Sequence, residues 1–216
     1  MKIKQFILSA IAFALLAGAL FVPQISLGLA SSSHKTGLAW LLFVVLYALL
    51  IALYAWVLKP KTVFHKLQKN DWIAIIVGYF AFSVIKFIYV DLSQLIYHQV
   101  DTKNDNLIRQ TMGQNHTTGL MMVIIACLLA PLCEEMLFRG IFSKLFWPNG
   151  FWLPVIISGF LFGLAHANFN LLGTLLYSAL GWTLAIIYKK TQNLSSPLVL
   201  HILNNAPVIL VFFLAK

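Results

Sequence analysis

The chain has 216 residues, of which 61% are hydrophobic and 10% charged, and its mean hydropathy is +0.88. A soluble domain carries roughly 45–50% apolar and about 25% charged residues, so this composition cannot cover a water-facing surface and the chain reads as a membrane protein. The net charge of +9 does not mark a nucleic-acid binder, because the lysines cluster at the ends of apolar runs, where they set membrane orientation. Cys127 and Cys133 lie six residues apart in one apolar stretch, where a single helix cannot join them, so a disulfide scaffold is excluded.

A hydrocarbon core of about 30 Å takes roughly 20 apolar residues per helix. Segments at about 5–23, 37–58, 72–90, 117–146, 151–168, 170–188 and 196–215 meet or approach that length. The expected fold is an all-α membrane protein of about seven transmembrane helices in one bundle, with no separate soluble domain. Within it, 1–110 holds the N-terminal spans and an extramembrane loop, and 111–216 the remaining helices. The opening run, with Lys2, Lys4 and a small-residue site at Gly28-Leu-Ala30, resembles a signal peptide, yet it is longer than the 7–15 residues such an apolar region usually has. It reads as a span. The polar stretch at about 91–116, with Asp91, Asp101, Lys103, Asp105 and Arg109, is the one loop long enough to fold by itself.

Placing the N-terminus inside puts Lys2, Lys4, Lys59, Lys61, Lys66, Lys69, Lys144, Lys189 and Lys190 at inner ends and Lys35, Lys103, Arg109 and Lys216 at outer ends. The positive-inside rule favours that topology. Lys86, inside the third segment, could pair with an acid or snorkel, and snorkelling is the expectation, while Trp40, Trp72, Trp147 and Trp152 are expected to anchor segment ends at the interface.

The only glutamates are Glu134 and Glu135, both within the fourth segment in the run APLCEEMLFR at 130–139. A charge at the centre of a membrane helix costs roughly 2.5–3.5 kcal/mol on insertion scales, so these acids and Arg139 need partners. Glu135 and Arg139 are four apart with the acid first, the favoured order for an ion pair. Glu134 lies about 100° round the helix and is left to face another element, and Pro131 should loosen the backbone just ahead of the acids.

Polar stripes on two other segments supply that element. Phe162 and His166 are four apart, Gly159 and Gly163 form a small-xxx-small pattern for close helix approach, and His201 and Asn205 are again four apart. Glu134 precedes the turn at Pro148-Asn149-Gly150 by about as many residues as His166 follows it, so an antiparallel pair sets them level. The turn holding Asn168 and Asn170 would then lie buried. A structural role is the ordinary reading of the Glu135–Arg139 pair and of Phe162; Cys133 lacks a basic partner to make it a nucleophile, and the Asn115-His-Thr117 sequon is discounted as a chance match.

In order, Glu134-Glu135-x-x-x-Arg139, Phe162-x-x-x-His166 and His201-x-x-x-Asn205 resemble the signatures of the CPBP family of intramembrane proteases, which includes CAAX prenyl endopeptidases and bacteriocin-processing and immunity proteins. The resemblance covers about residues 115–215. Each motif alone is weak, but three in the right order on three apolar helices are specific. It implies an intramembrane endopeptidase in which Glu134 and His166 activate a water, His201 and Asn205 stabilise the oxyanion, Glu135 and Arg139 form a supporting pair, and Phe162 shapes the wall. The implied substrate is a hydrophobic or lipid-modified peptide, met in the membrane lipid, in CAAX-type processing, bacteriocin maturation or self-immunity.

A divalent metal such as zinc on Glu134, His166 and His201 and a metal-free mechanism both satisfy this set, with Asn205 favouring the latter because an amide is a poor zinc ligand. Two other readings compete: a non-catalytic immunity protein acting by sequestration, and an ion-coupled carrier, which would be expected to show the internal repeats that this chain lacks. No oligomeric state is encoded in the pattern.

Overall fold

The computed structural model describes residues 3–32, 35–166 and 171–214, and every regular element among them is helical. The helices are α1 (Ile3–Ala19), α2 (Ile25–Ala30), α3 (Thr36–Leu58), α4 (Lys69–Tyr97), α5 (Lys103–Gln114), α6 (His116–Leu145), α7 (Trp152–His166), α8 (Leu171–Thr191), α9 (Ser195–Asn205) and α10 (Pro207–Leu214). Six stretches are long and apolar enough to cross a membrane, namely Ile3–Ala30, α3, α4, α6, α8 and Ser195–Leu214, and α7 is a shorter apolar helix. The protein is an integral, multi-pass, all-helical membrane protein. Asn168 and Asn170, expected in a buried turn, lie outside the described residues, as do Lys2 and Lys216.

Burial ranks the helices. In α6, 61% of the membrane window is buried inside the protein and in α8 50%, against 11–28% for the other spans. The helix with the acids is therefore the axis of the bundle. The largest apolar cluster packs Phe43, Tyr47 and Tyr54 of α3 against Leu137, Phe138 and Ile141 of α6. A second joins Ile75 and Phe82 of α4 to Leu180 and Leu184 of α8 and Leu200 of α9.

α6 runs through two π-helical turns, Ile125–Leu129 and Glu135–Ile141, with one α-helical turn, Ala130–Glu134, between them. Pro131 has no N–H and its ring crowds the carbonyl four residues back, which is that of Cys127. The first widened turn spans that carbonyl, so the looser backbone expected around Pro131 takes the form of a π-turn, a feature frequent at functional sites. The second is held from outside by Ser158 of α7, whose hydroxyl donates to the Phe138 carbonyl at 2.7 Å.

α7 and α8 pack without a spacer because glycine sits at each crossing. A Cβ on Gly163 would run into the Ser178 hydroxyl and lie 2.7 Å from the Thr174 carbonyl, and one on Gly159 would strike Trp182. Trp182 also donates its indole N–H to the Ile156 carbonyl at 2.9 Å, fixing the pair in register. This is the small-xxx-small approach expected of Gly159 and Gly163.

The polar stretch after the third span departs from a plain loop. α4 continues through Tyr97, and residues from Lys103 form α5. Thr102 accepts from the Asp105 amide at 3.0 Å and its own N–H donates to the Asp105 carboxylate at 3.0 Å, a capping box that satisfies the first orphan amides of the helix. Asn115 of the sequon caps α6: its side-chain oxygen accepts from the Thr118 amide at 3.0 Å, and its Nδ2 donates to the Ala30 carbonyl at 3.0 Å. The last span is broken at Ala206, where Pro207 opens α10 in the position that tolerates a missing N–H.

Candidate active site

Three helices bring their polar stripes to one point. The Nε2 atom of His166, at the end of α7, lies 3.7 Å from Oε2 of Glu134, and Nε2 of His201, on α9, lies 3.8 Å from the same oxygen. Glu134 and His201 are buried.

Each ring is oriented through its other nitrogen. His166 Nδ1 is 2.9 Å from the Phe162 carbonyl, which can only accept, so Nδ1 carries a proton and Nε2 is the atom turned toward Glu134. His201 Nδ1 is 2.9 Å from Glu135 Oε1, and donation to that carboxylate gives the same result. Two imidazoles thus aim at one carboxylate oxygen, which itself makes no hydrogen bond among the described residues.

Glu135 does more than close a pair with Arg139. Its Oε1 lies 3.2 Å from Arg139 Nη1, and both side chains are fully buried. Arg139 Nη2 donates to the Gly181 carbonyl at 3.0 Å, and the guanidinium sits 4.6 Å over the Phe162 ring. Phe162 in turn meets His166 at 4.2 Å and His201 at 5.8 Å between ring centres. The supporting pair is therefore a network that reaches His201, and Phe162 is the apolar plate on which both rings and the arginine rest.

Asn205 faces the same cavity, but its Nδ2 donates to the Ala126 carbonyl at 2.8 Å and its oxygen accepts from Asn204 Nδ2 at 2.9 Å. It clamps α9 to the first π-turn and retains a second amide hydrogen. Two contributors escaped the sequence reading. Tyr177 stacks on His166 with ring centres 4.9 Å apart, and its hydroxyl is 2.9 Å from Thr102 Oγ1, so the cap of α5 is linked to a site ring. Asn204 positions the Asn205 amide. Neither belongs to an i, i+4 pair of polar residues, so no local signal marks them. Cys127 and Cys133 are free and buried.

The cavity over these residues measures about 280 Å³ and is roofed by Asn104, Leu107 and Ile108 of α5. A neighbouring cavity of about 320 Å³ shares Asn104, Ile108, Tyr177 and Asn204 as walls and contains Lys86 with Asp101 and Asp105. Lys86 therefore lines a recess that also holds two acids, the setting for the pairing that was the alternative to snorkelling.

Two imidazole nitrogens and a carboxylate are the donor types of a catalytic zinc site. The 3.7 and 3.8 Å separations, however, exceed the roughly 3.4 Å between tetrahedral ligands on bonds of about 2.0–2.1 Å. Among the described residues no group of three or more His, Cys, Asp or Glu is spaced to hold a metal ion. In this arrangement the residues do not fit one.

Residues 116–207 match the Rce1-like family, described as type II CAAX prenyl endopeptidase Rce1-like. A Bacillus subtilis (strain 168) protein bearing the name "Putative membrane peptidase YdiL" is 34% identical over 91 residues, which are 42% of this chain and 36% of that protein. The match thus spans about a third of that relative's length. No solved structure matches the chain.

Proposed function

Residues 116–207 of the chain belong to the CPBP family of intramembrane proteases, and from that premise we propose that the protein is an intramembrane endopeptidase whose chemistry is carried by Glu134, His166, His201 and Asn205. The observation that supports this best is the approach of two imidazole Nε2 atoms to one buried carboxylate oxygen, at 3.7 and 3.8 Å, beneath a cavity lined by the same residues.

Glu134 and His166 hold a water between them, and Glu134 takes one of its protons as the oxygen attacks the scissile carbonyl carbon. The carbonyl oxygen becomes an oxyanion. His201, with Nδ1–H held on Glu135, donates to it from Nε2 when the ring carries both protons, and the second amide hydrogen of Asn205 is the other donor. In a water-excluded site such donors are worth far more than in water. Glu134 then returns its proton to the leaving amine as the C–N bond breaks, so one water is consumed and acid and amine products result. Glu135, Arg139 and Phe162 are positioning residues.

The substrate in this reading is a hydrophobic or lipid-modified peptide reached within the bilayer, of the kind met in CAAX-type processing or bacteriocin maturation and self-immunity. A cavity of about 280 Å³ suits a short extended stretch and not a folded domain. The lysine asymmetry and the Bacillus relative support a bacterial plasma membrane with the N-terminus cytoplasmic. Residues 111–216 form the catalytic helix core and 1–110 its membrane scaffold. The deciding experiment is Glu134→Gln in the full chain reconstituted with a membrane peptide substrate. Cleavage is expected to vanish while the thermal unfolding midpoint is retained, and turnover at the wild-type rate would refute the assignment.

A further inference from the structure

A groove of about 820 Å³ runs between α4 and α8, with neither glutamate in its lining. Its volume falls in the range of about 300–1,000 Å³ typical of ligand sites. One end is polar, with Lys66 and Lys190; the other is apolar, with Ala74, Val77 and Ala81 along α4. Val77 is 62% exposed and Ile73 50%, so the apolar floor lacks a protein partner. Gly78 draws the helices together at the base, where an added Cβ would lie 2.6 Å from Ile187 and from Leu200.

The polar rim is preset. The chain before α4 is tied to the α8–α9 connection by Leu194 N–H to the Val63 carbonyl at 2.7 Å, His65 N–H to the Asn193 side chain at 3.0 Å and Ser195 hydroxyl to the His65 carbonyl at 2.9 Å. Those bonds fix the backbone next to Lys66, which lines the groove together with Lys190. The one acid in the lining, Asp71, is buried and turned inward, accepting from Ser196 at 2.7 Å and from the Gln68 amide at 2.8 Å. The thirteen residues from Lys69 to Ala81 rise about 18 Å, close to one leaflet of roughly 15 Å.

We propose that this groove binds an anionic glycerophospholipid, with its phosphate on Lys66 and Lys190 and one acyl chain along Ala74, Val77 and Ala81. Basic pockets between transmembrane helices take lipid headgroups in this way. The site does not depend on the peptidase reading, and its test does not use cleavage.

The full chain is reconstituted in phosphatidylcholine with or without phosphatidylglycerol, and the lipid it retains is identified by native mass spectrometry. Phosphatidylglycerol is expected to be retained in preference to phosphatidylcholine. The Lys66→Gln/Lys190→Gln double variant should weaken that retention roughly twenty-five-fold, taking about fivefold per lysine. Val77→Trp should also weaken it with both charges intact. Equal retention of the neutral lipid, an equal loss in a Lys59→Gln/Lys61→Gln control, or competition by glycerol 3-phosphate as strong as by whole lipid would overturn the proposal, the last by showing a free-phosphate site.

Discussion

His201 is held by Glu135, Nδ1 to Oε1 at 2.9 Å, through the same carboxylate oxygen that lies 3.2 Å from Arg139. One buried carboxylate therefore serves two helices, α6 internally and α9 across the site. Its loss should affect the fold more than the loss of its neighbour Glu134, which makes no hydrogen bond among the described residues through Oε2.

Glu135→Gln removes the negative charge and leaves Arg139 charged in a fully buried place. Breaking one side of a buried pair costs about 3–5 kcal/mol. The expected outcome is a marked drop in the thermal unfolding midpoint for Glu135→Gln and a change of no more than about 1 kcal/mol for Glu134→Gln, since surviving contacts there are few. Differential scanning of the two variants in one detergent checks the order, and the reverse order would contradict the network described.

The α7–α8 seam gives a second expectation. Gly163→Ala places a methyl against the Ser178 hydroxyl and the Thr174 carbonyl, whereas Gly18 has nothing within 4 Å of an added Cβ. Overpacking costs typically about 1–3 kcal/mol, while an exposed helical Gly→Ala gains roughly 0.5–1 kcal/mol. Gly163→Ala should thus lower the unfolding midpoint and Gly18→Ala hold or raise it. Because α7 carries His166, the same substitution should reduce cleavage by more than the fraction of protein unfolded at the assay temperature, which parallel activity and unfolding measurements would reveal.

What the sequence disclosed follows from periodicity. The spans, the Glu135–Arg139 pair and the Gly159/Gly163 stripe all lie within one helix, where spacing of three or four residues assigns a shared face. Contacts between helices were legible only where hairpin symmetry set a common depth, as for Glu134 and His166. The Glu135–His201 bond joins residues 66 apart, and no local rule reaches that far. The π-turns were hidden for another reason: a helical wheel advances every residue equally, whereas a widened turn resets the phase, and only Pro131 gave notice of one. α5 was legible in retrospect from Thr102 and Asp105, a cap and its partner three residues on, set in a stretch whose polarity made it look like loop.

That cap carries the last expectation. Thr102 opens α5, the roof of the site cavity, and its hydroxyl also meets Tyr177, which stacks on His166. Thr102→Ala removes both bonds and the hydroxyl's own donation to the Asp105 carboxylate at 2.7 Å. Loss of an N-cap costs about 1 kcal/mol, a small part of global stability but large for a twelve-residue helix that packs over a cavity. The damage should therefore be local. Amide hydrogen exchange is expected to accelerate across 103–114 and stay unchanged in α6 and α8, and Thr102→Ser, which keeps the hydroxyl, should restore protection. Uniform acceleration through the bundle would mean that α5 is part of the cooperative core and not a separately opening roof.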